Sequence, residues 1–124
     1  MQKTNEKPTL RLRINLPDGS YLGPGKADLM AGIAETGSIL AAGRRMGMSY
    51  KRAWGLVETL NSMFDMPLVQ ANRGGASRGG AALTDRGTEV LALYRAILAT
   101  SEQAAAASLA SLLSHAASTT PDAK

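Results

Sequence analysis

GSILAAGRRMGMSYKRAWGLVETLNSMFDMPLVQANRGGASRGGAALT, residues 37–84, reads as a helix, a very short turn, a second helix and a glycine-rich hairpin. Ser38 is placed to cap a helix whose apolar side is Ile39, Ala42 and Met46, and Gly47 stops it. Gly47-Met48-Ser49 is so brief a connection that the two helices must cross steeply. Ser49 then caps a helix reaching about Phe64, on which Ala53, Val57, Leu60 and Phe64 recur at the spacing of an inward face. Ser49, Tyr50, Lys51 and Arg52 stand at the opposite edge and in the first turn, where a recognition helix meets base edges and phosphates.

The charge follows the same layout. This stretch holds Arg44, Arg45, Lys51, Arg52, Arg73 and Arg78 against Glu58 and Asp65, a net +4 that equals the +4 of the whole chain. Residues 1–36 contribute +1 and residues 82–124 contribute −1. The basic excess is focused on one segment, as an electrostatic footprint on phosphate requires. Lys51 and Arg52 are neighbours about 100° apart on a helix, so one is expected on base edges and the other on the backbone. Arg44 and Arg45 sit in a last turn that favours cations through the helix dipole, and they also lie within reach of phosphates. Trp54, one position from Ala53, is expected to pack on the flank of the apolar face.

Outward from this segment, Leu10-Arg11-Leu12-Arg13-Ile14-Asn15-Leu16 alternates with a strict period of two, predicting a strand over 9–16 with one wet face. The turn-forming Pro17, Asp18, Gly19, Gly23, Pro24 and Gly25 follow. A helix is expected from about Lys26 to Thr36, with Leu29, Met30, Ile33 and Ala34 on one face and Gly37 ending it. Pro67–Ala71 and Ala81–Leu83 are short strands flanking a wing that carries Arg73, Gly74, Gly75, Ser77 and Arg78, expected to touch a minor groove or the flanking backbone. Gly74 and Gly79 have the separation of the outer glycines of a phosphate loop, but Gly80 and Ala81 occupy the places of its lysine and hydroxyl residue, so a nucleotide site is rejected.

Thr84 caps a last helix from about Asp85 to Leu113, roughly 40 Å long. Its stripe of Leu91, Tyr94, Leu98, Ser101, Ala105, Leu109 and Leu112 is too long for a domain of this size to cover, so a second copy of the same helix is the expected cover. The fold expected is mainly α with a small β wing, a winged helix-turn-helix followed by a dimerisation helix. Residues 1–8 form a flexible N-terminus, 9–84 the DNA-binding domain, 85–113 the dimerisation helix and 114–124 a disordered tail.

Other classes find little support. Without cysteine the chain has no disulfide, thiolate metal site or cysteine nucleophile. Met1–Pro8 lacks an apolar signal core, and no apolar run approaches the roughly 20 residues of a membrane span, so a cytoplasmic location is expected. His115 stands alone in the tail, Asp28 and Glu35 lack companion ligands, and no nucleophile has a base, so neither metal nor cofactor is expected and the chain reads as a non-enzyme. Two alternatives use the same features: non-specific binding of nucleic acid, as in a nucleoid-associated or RNA-binding protein, and a protein-interaction module pairing through the last helix.

Gly37-Ser38-Ile39 with Ala41-Ala42, Met48-Ser49-Tyr50-Lys51-Arg52-Ala53-Trp54, Asn61, Pro67-Leu68-Val69, the glycine-rich wing and Leu83-Thr84 with Gly87 resemble the DNA-binding domain of ModE, the molybdate-responsive regulator. More loosely they are similar to the LysR-type winged helix-turn-helix. The resemblance covers roughly Thr9 to Leu113 and implies a dimeric, double-stranded-DNA-binding transcriptional regulator acting on a pseudo-palindromic operator, with a link to molybdenum metabolism. ModE proteins bind molybdate in C-terminal domains of another fold. The sequence ends where these would begin, so direct molybdate binding is not expected of it.

Overall fold

A computed structural model describes residues 10–71 and 80–117. Leu10, Leu12, Ile14 and Leu16 are half-buried while Arg11, Arg13 and Asn15 are exposed, the alternation expected of a one-sided strand. Pairing is limited to β1 (Ile14–Asn15) and β2 (Tyr21–Leu22), antiparallel with Ile14 opposite Leu22. The strand predicted over 9–16 is thus cut to a two-residue ladder. Its partner strand runs out at Gly23, because Pro24, with no N–H to donate and a helical φ, starts α1 (Pro24–Thr36). For the same reason α1 begins two residues before the expected Lys26.

α1 buries Ala27, Leu29, Met30 and Ile33. Ala34, expected on that face, is exposed. Gly37 closes the helix with φ of 73°, its N–H donating to the Ile33 carbonyl at 2.8 Å. Ser38 caps α2 (Ile39–Arg45) by accepting from the Ala41 N–H at 3.0 Å, and Ser49 caps α3 (Tyr50–Met63) by accepting from the Arg52 N–H at 3.1 Å.

The three helices meet through small residues. A Cβ at Gly32 of α1 would lie 3.0 Å from the Ala42 Cβ, and one at Gly43 of α2 would lie 2.9 Å from the Ala53 Cβ. Glycine facing alanine therefore allows α1 to meet α2, and α2 to meet α3, at backbone distance. Leu29, Met30, Ile33, Ile39, Val57, Leu60 and Leu68 fill the centre of the core, and Phe64 is half-buried at its edge.

β3 (Val69–Ala71) and β4 (Ala81–Leu83) pair antiparallel, with Val69 opposite Leu83 and Ala71 opposite Ala81. Thr84 joins this hairpin to α4 (Asp85–Ser114): its hydroxyl donates to the Pro67 carbonyl at 2.7 Å and accepts from the Gly87 N–H at 3.0 Å. α4 rises about 45 Å, and its first turns bury Val90, Leu91 and Tyr94. Beyond Tyr94 none of its residues is fully buried. By length and composition alone α4 is apolar enough to cross a bilayer, contrary to the sequence expectation. The reason is the run of alanines, which adds hydropathy without a long aliphatic side chain, while Ser101, Glu102, Gln103 and Ser108 lie within the same helix. α4 runs one residue beyond the expected Leu113, to Ser114; residues 118–124 of the expected tail, like the flexible segment expected at 1–8, lie outside the described residues.

Candidate nucleic-acid interface

With Ala53, Val57 and Leu60 locked into the core, the opposite side of α3 has to face outward. Ser49, Lys51, Arg52, Gly55, Leu56 and Thr59 line a shallow, open depression of about 440 Å³ along it. Lys51 and Arg52 are both exposed, and among the described residues neither is ion-paired. Ser49 uses its oxygen as the helix cap, leaving its hydroxyl proton free to donate. Tyr50 is exposed and meets Trp54 edge to face, with ring centroids 6.2 Å apart, and Trp54 is half-buried against the core. Tyr50 is thus presented on a rigid aromatic base at the start of the helix.

The two arginines of α2 divide. Arg45 pairs with Glu35 of α1 at 2.6 Å, and this hydrogen-bonded guanidinium holds the Glu35 carboxyl below its ordinary range. Arg44 is exposed beside it. Arg73, Gly74, Gly75, Ser77 and Arg78 lie outside the described residues, but the strands β3 and β4 that flank them are paired in register.

On α4 the stripe expected to meet a partner is unevenly buried within the protomer. Leu91 and Tyr94 are buried in the protomer itself, and the Tyr94 hydroxyl donates to the Leu12 carbonyl at 2.7 Å. Both residues lie in the part of the helix that covers the helix-turn-helix core. Leu98, Ala105 and Leu109 are half-buried and Leu112 is 65% exposed.

Sequence reasoning passed over Gly55, Leu56 and Thr59, although 51, 55 and 59 lie one helical turn apart and 52, 56 and 59 continue the same face. It also passed over Arg13 and Lys26. Their charged ends lie 3.9 and 3.7 Å from the Tyr21 ring centroid, adding basic groups beside β2. Among the described residues no group of three His, Cys, Asp or Glu side chains is placed to hold a metal ion.

Three packed helices with a tight second-to-third turn, followed by a β-hairpin and a long helix, define the winged helix-turn-helix class of DNA-binding domains. The chain belongs to the bacterial regulatory helix-turn-helix proteins of the lysR family, whose pattern matches residues 27–88.

Among relatives, it is 44% identical over 79 residues to the molybdenum-pterin-binding protein MopB of Rhodobacter capsulatus, covering 64% of this chain and 29% of that one. It is 36% identical over 93 residues to the transcriptional regulator ModE of Haemophilus influenzae, covering 75% and 36%. The resemblance to the ModE-type N-terminal DNA-binding domain is thereby shown. The chain spans about a third of the length of the curated relatives it matches. In fold it is similar to the protein of a CbnR_DBD-DNA complex, with a TM-score of 0.57 and 22% identity over 71% of this chain and 95% of that one.

Proposed function

We propose that this protein is a sequence-specific DNA-binding transcriptional regulator of the ModE type that acts as a homodimer. The observation that carries the reading is the outer face of α3, where Lys51 and Arg52 stand exposed on the first turn of a helix whose inner face is buried. One of them meets base edges and the other the phosphate backbone, while the 73–78 wing lies on the flanking minor groove or backbone. Arg44 adds a phosphate contact, and Arg45 joins it when Glu35 releases it.

The dimer is supported by α4, which runs on past its own core, and by a wholly apolar hollow of about 180 Å³ at its base. Ile14, Leu16, Phe64, Leu93 and Ile97 line that hollow, with Leu93 and Ile97 exposed. A second copy packed along Leu98, Ala105, Leu109 and Leu112 would cover both the hollow and the helix. The twofold would then set two recognition helices about 34–36 Å apart, one turn of duplex or a multiple, on a pseudo-palindromic operator.

The kinship with MopB and ModE connects the regulator to molybdenum metabolism. A regulator of this kind works in the cytoplasm and carries out no catalysis.

The test is fluorescence anisotropy on a duplex enriched from a random library and on its scrambled counterpart. The native protein should prefer the enriched site by about 10³ or more, and Lys51→Ala with Arg52→Ala should abolish binding while dimerisation persists. With roughly six to eight phosphate contacts per dimer, affinity should fall on the order of 10³–10⁵ between 50 and 200 mM salt. Equal binding to both duplexes would place the protein among non-specific nucleic-acid binders. Binding that survives the double substitution would remove α3 as the reader.

A further inference from the structure

Glycine in a helix interior weakens the helix by roughly 1 kcal/mol relative to alanine, so its presence there needs a reason. Three of the helical glycines have one inside the protein. Gly32 faces Ala42 and Gly43 faces Ala53 at the distances given above, and a Cβ at Gly87 would run into the Leu68 carbonyl. Gly25 lies in the first turn of α1, where helix propensity matters little. Gly55 has no such reason. It sits in the middle of α3, is exposed, and a Cβ built on it would meet no atom within 4 Å. The fold would accept a side chain at this position and would gain from it.

What surrounds Gly55 indicates what the missing side chain makes room for. It lies within the depression of about 440 Å³ bordered by Ser49, Lys51, Arg52, Leu56 and Thr59. The Thr59 hydroxyl donates back to the Gly55 carbonyl at 3.1 Å, so its proton is committed within the helix, and the side chain offers its methyl group and an acceptor oxygen. The Gly55 Cα, Leu56 and the Thr59 methyl thus give the depression an apolar surface, and Lys51 and Arg52 line it with two cations. A B-DNA major groove presents the complementary pattern at a thymine: an apolar C5 methyl on the base edge, with phosphates to either side.

We infer that Gly55 is a specificity-determining residue, which lets the backbone of α3 come into van der Waals contact with the groove floor and seats a thymine C5 methyl against Leu56 and Thr59. This rests on the reading of α3 as the DNA-reading helix. A methyl group on residue 55 would occupy the same space and push the helix outward, so Lys51 and Arg52 would lose their reach together.

The opposite signs for stability and binding make the inference testable. Gly55→Ala should melt at a higher temperature than the native protein, yet bind the library-enriched duplex at least ten-fold more weakly, with little change on scrambled DNA. Replacing each thymine of the enriched site in turn by deoxyuridine should weaken native binding about three- to five-fold at one position per half-site, the worth of one buried methyl. Gly55→Ala should show no such difference.

Native-strength binding by Gly55→Ala, a melting temperature below the native one, or indifference to every thymine methyl would each overturn the inference. The Lys51→Ala with Arg52→Ala variant, run alongside, separates the two levels. If it still binds, the reading of α3 fails and takes this inference with it. If it does not bind and Gly55→Ala does, only the inference fails.

Discussion

Replacing Asn61 by alanine removes, in one step, the brace between α3 and the hairpin. The Asn61 Oδ1 accepts from the Leu68 N–H at 2.8 Å and the Val69 N–H at 2.9 Å, while its Nδ2 donates to the Val69 carbonyl at 3.0 Å. Leu68 and Val69 are both buried, so their backbone groups find no easy replacement in water. At about 0.5–1.5 kcal/mol for each neutral hydrogen bond, and with buried N–H groups left unpaired, Asn61→Ala should cost about 2–4 kcal/mol. Against the roughly 5–15 kcal/mol that holds a domain folded, that is a large fraction. Denaturant unfolding followed by circular dichroism at 222 nm, with a shared slope for both proteins, measures the difference. Asn61→Asp keeps the acceptor for the two N–H groups but opposes a carboxylate to the Val69 carbonyl, so it should fall between native and alanine. A loss below about 1 kcal/mol for Asn61→Ala would refute the reasoning, because one ordinary surface hydrogen bond would account for it.

Gly43→Ala gains roughly 1 kcal/mol in helix propensity but sets its Cβ 2.9 Å from that of Ala53 and 3.4 Å from the Met48 Cγ. Overpacking of about 1–3 kcal/mol should outweigh the gain, leaving a less stable protein with weaker DNA binding, and adding Ala53→Gly should recover part of both; thermal melts and anisotropy read these. Tyr94→Phe removes the hydrogen bond to the Leu12 carbonyl and should cost about 0.5–1.5 kcal/mol in the same denaturation assay. Burial, reinforced by the Asp28 charge and opposed by Arg11, raises the Tyr94 phenol above its ordinary 10.0. Only the unfolded chain then loses this proton just above pH 10, so the stability it supplies is full below that pH and falls above it. A denaturation series across alkaline pH should show a drop in the native protein that is smaller in Tyr94→Phe.

Much of the fold was readable from the chain because its signals are local. Ser38, Ser49 and Thr84 each cap the helix assigned to them, and Gly37 and Gly47 take the left-handed φ at the helix ends. Such features depend on a few neighbouring residues, and so does the charge focus that singles out Lys51 and Arg52. Spacing alone also put Ala53, Val57 and Leu60 on the inward face of α3, and it joined β3 to β4 across the wing.

What the chain left open was what each face meets, which depends on residues far apart in sequence. Leu91 and Tyr94 share a stripe with Leu98 and Leu109, and periodicity cannot divide it. The division comes from the helix-turn-helix core, which fully buries α4 only as far as Tyr94 and ties it to Leu12 across 82 positions. In the same way Glu35 engages Arg45 but not Arg44 across the packed α1 and α2, and the β1 ladder ends because its partner strand runs into a proline. The glycines make the contrast sharpest. As letters Gly43 and Gly55 are alike, but tertiary packing sets Ala53 against the first and leaves the second facing open space. Caps and periods are written in neighbouring residues, whereas which surfaces are covered is decided only when distant segments compete for the same core.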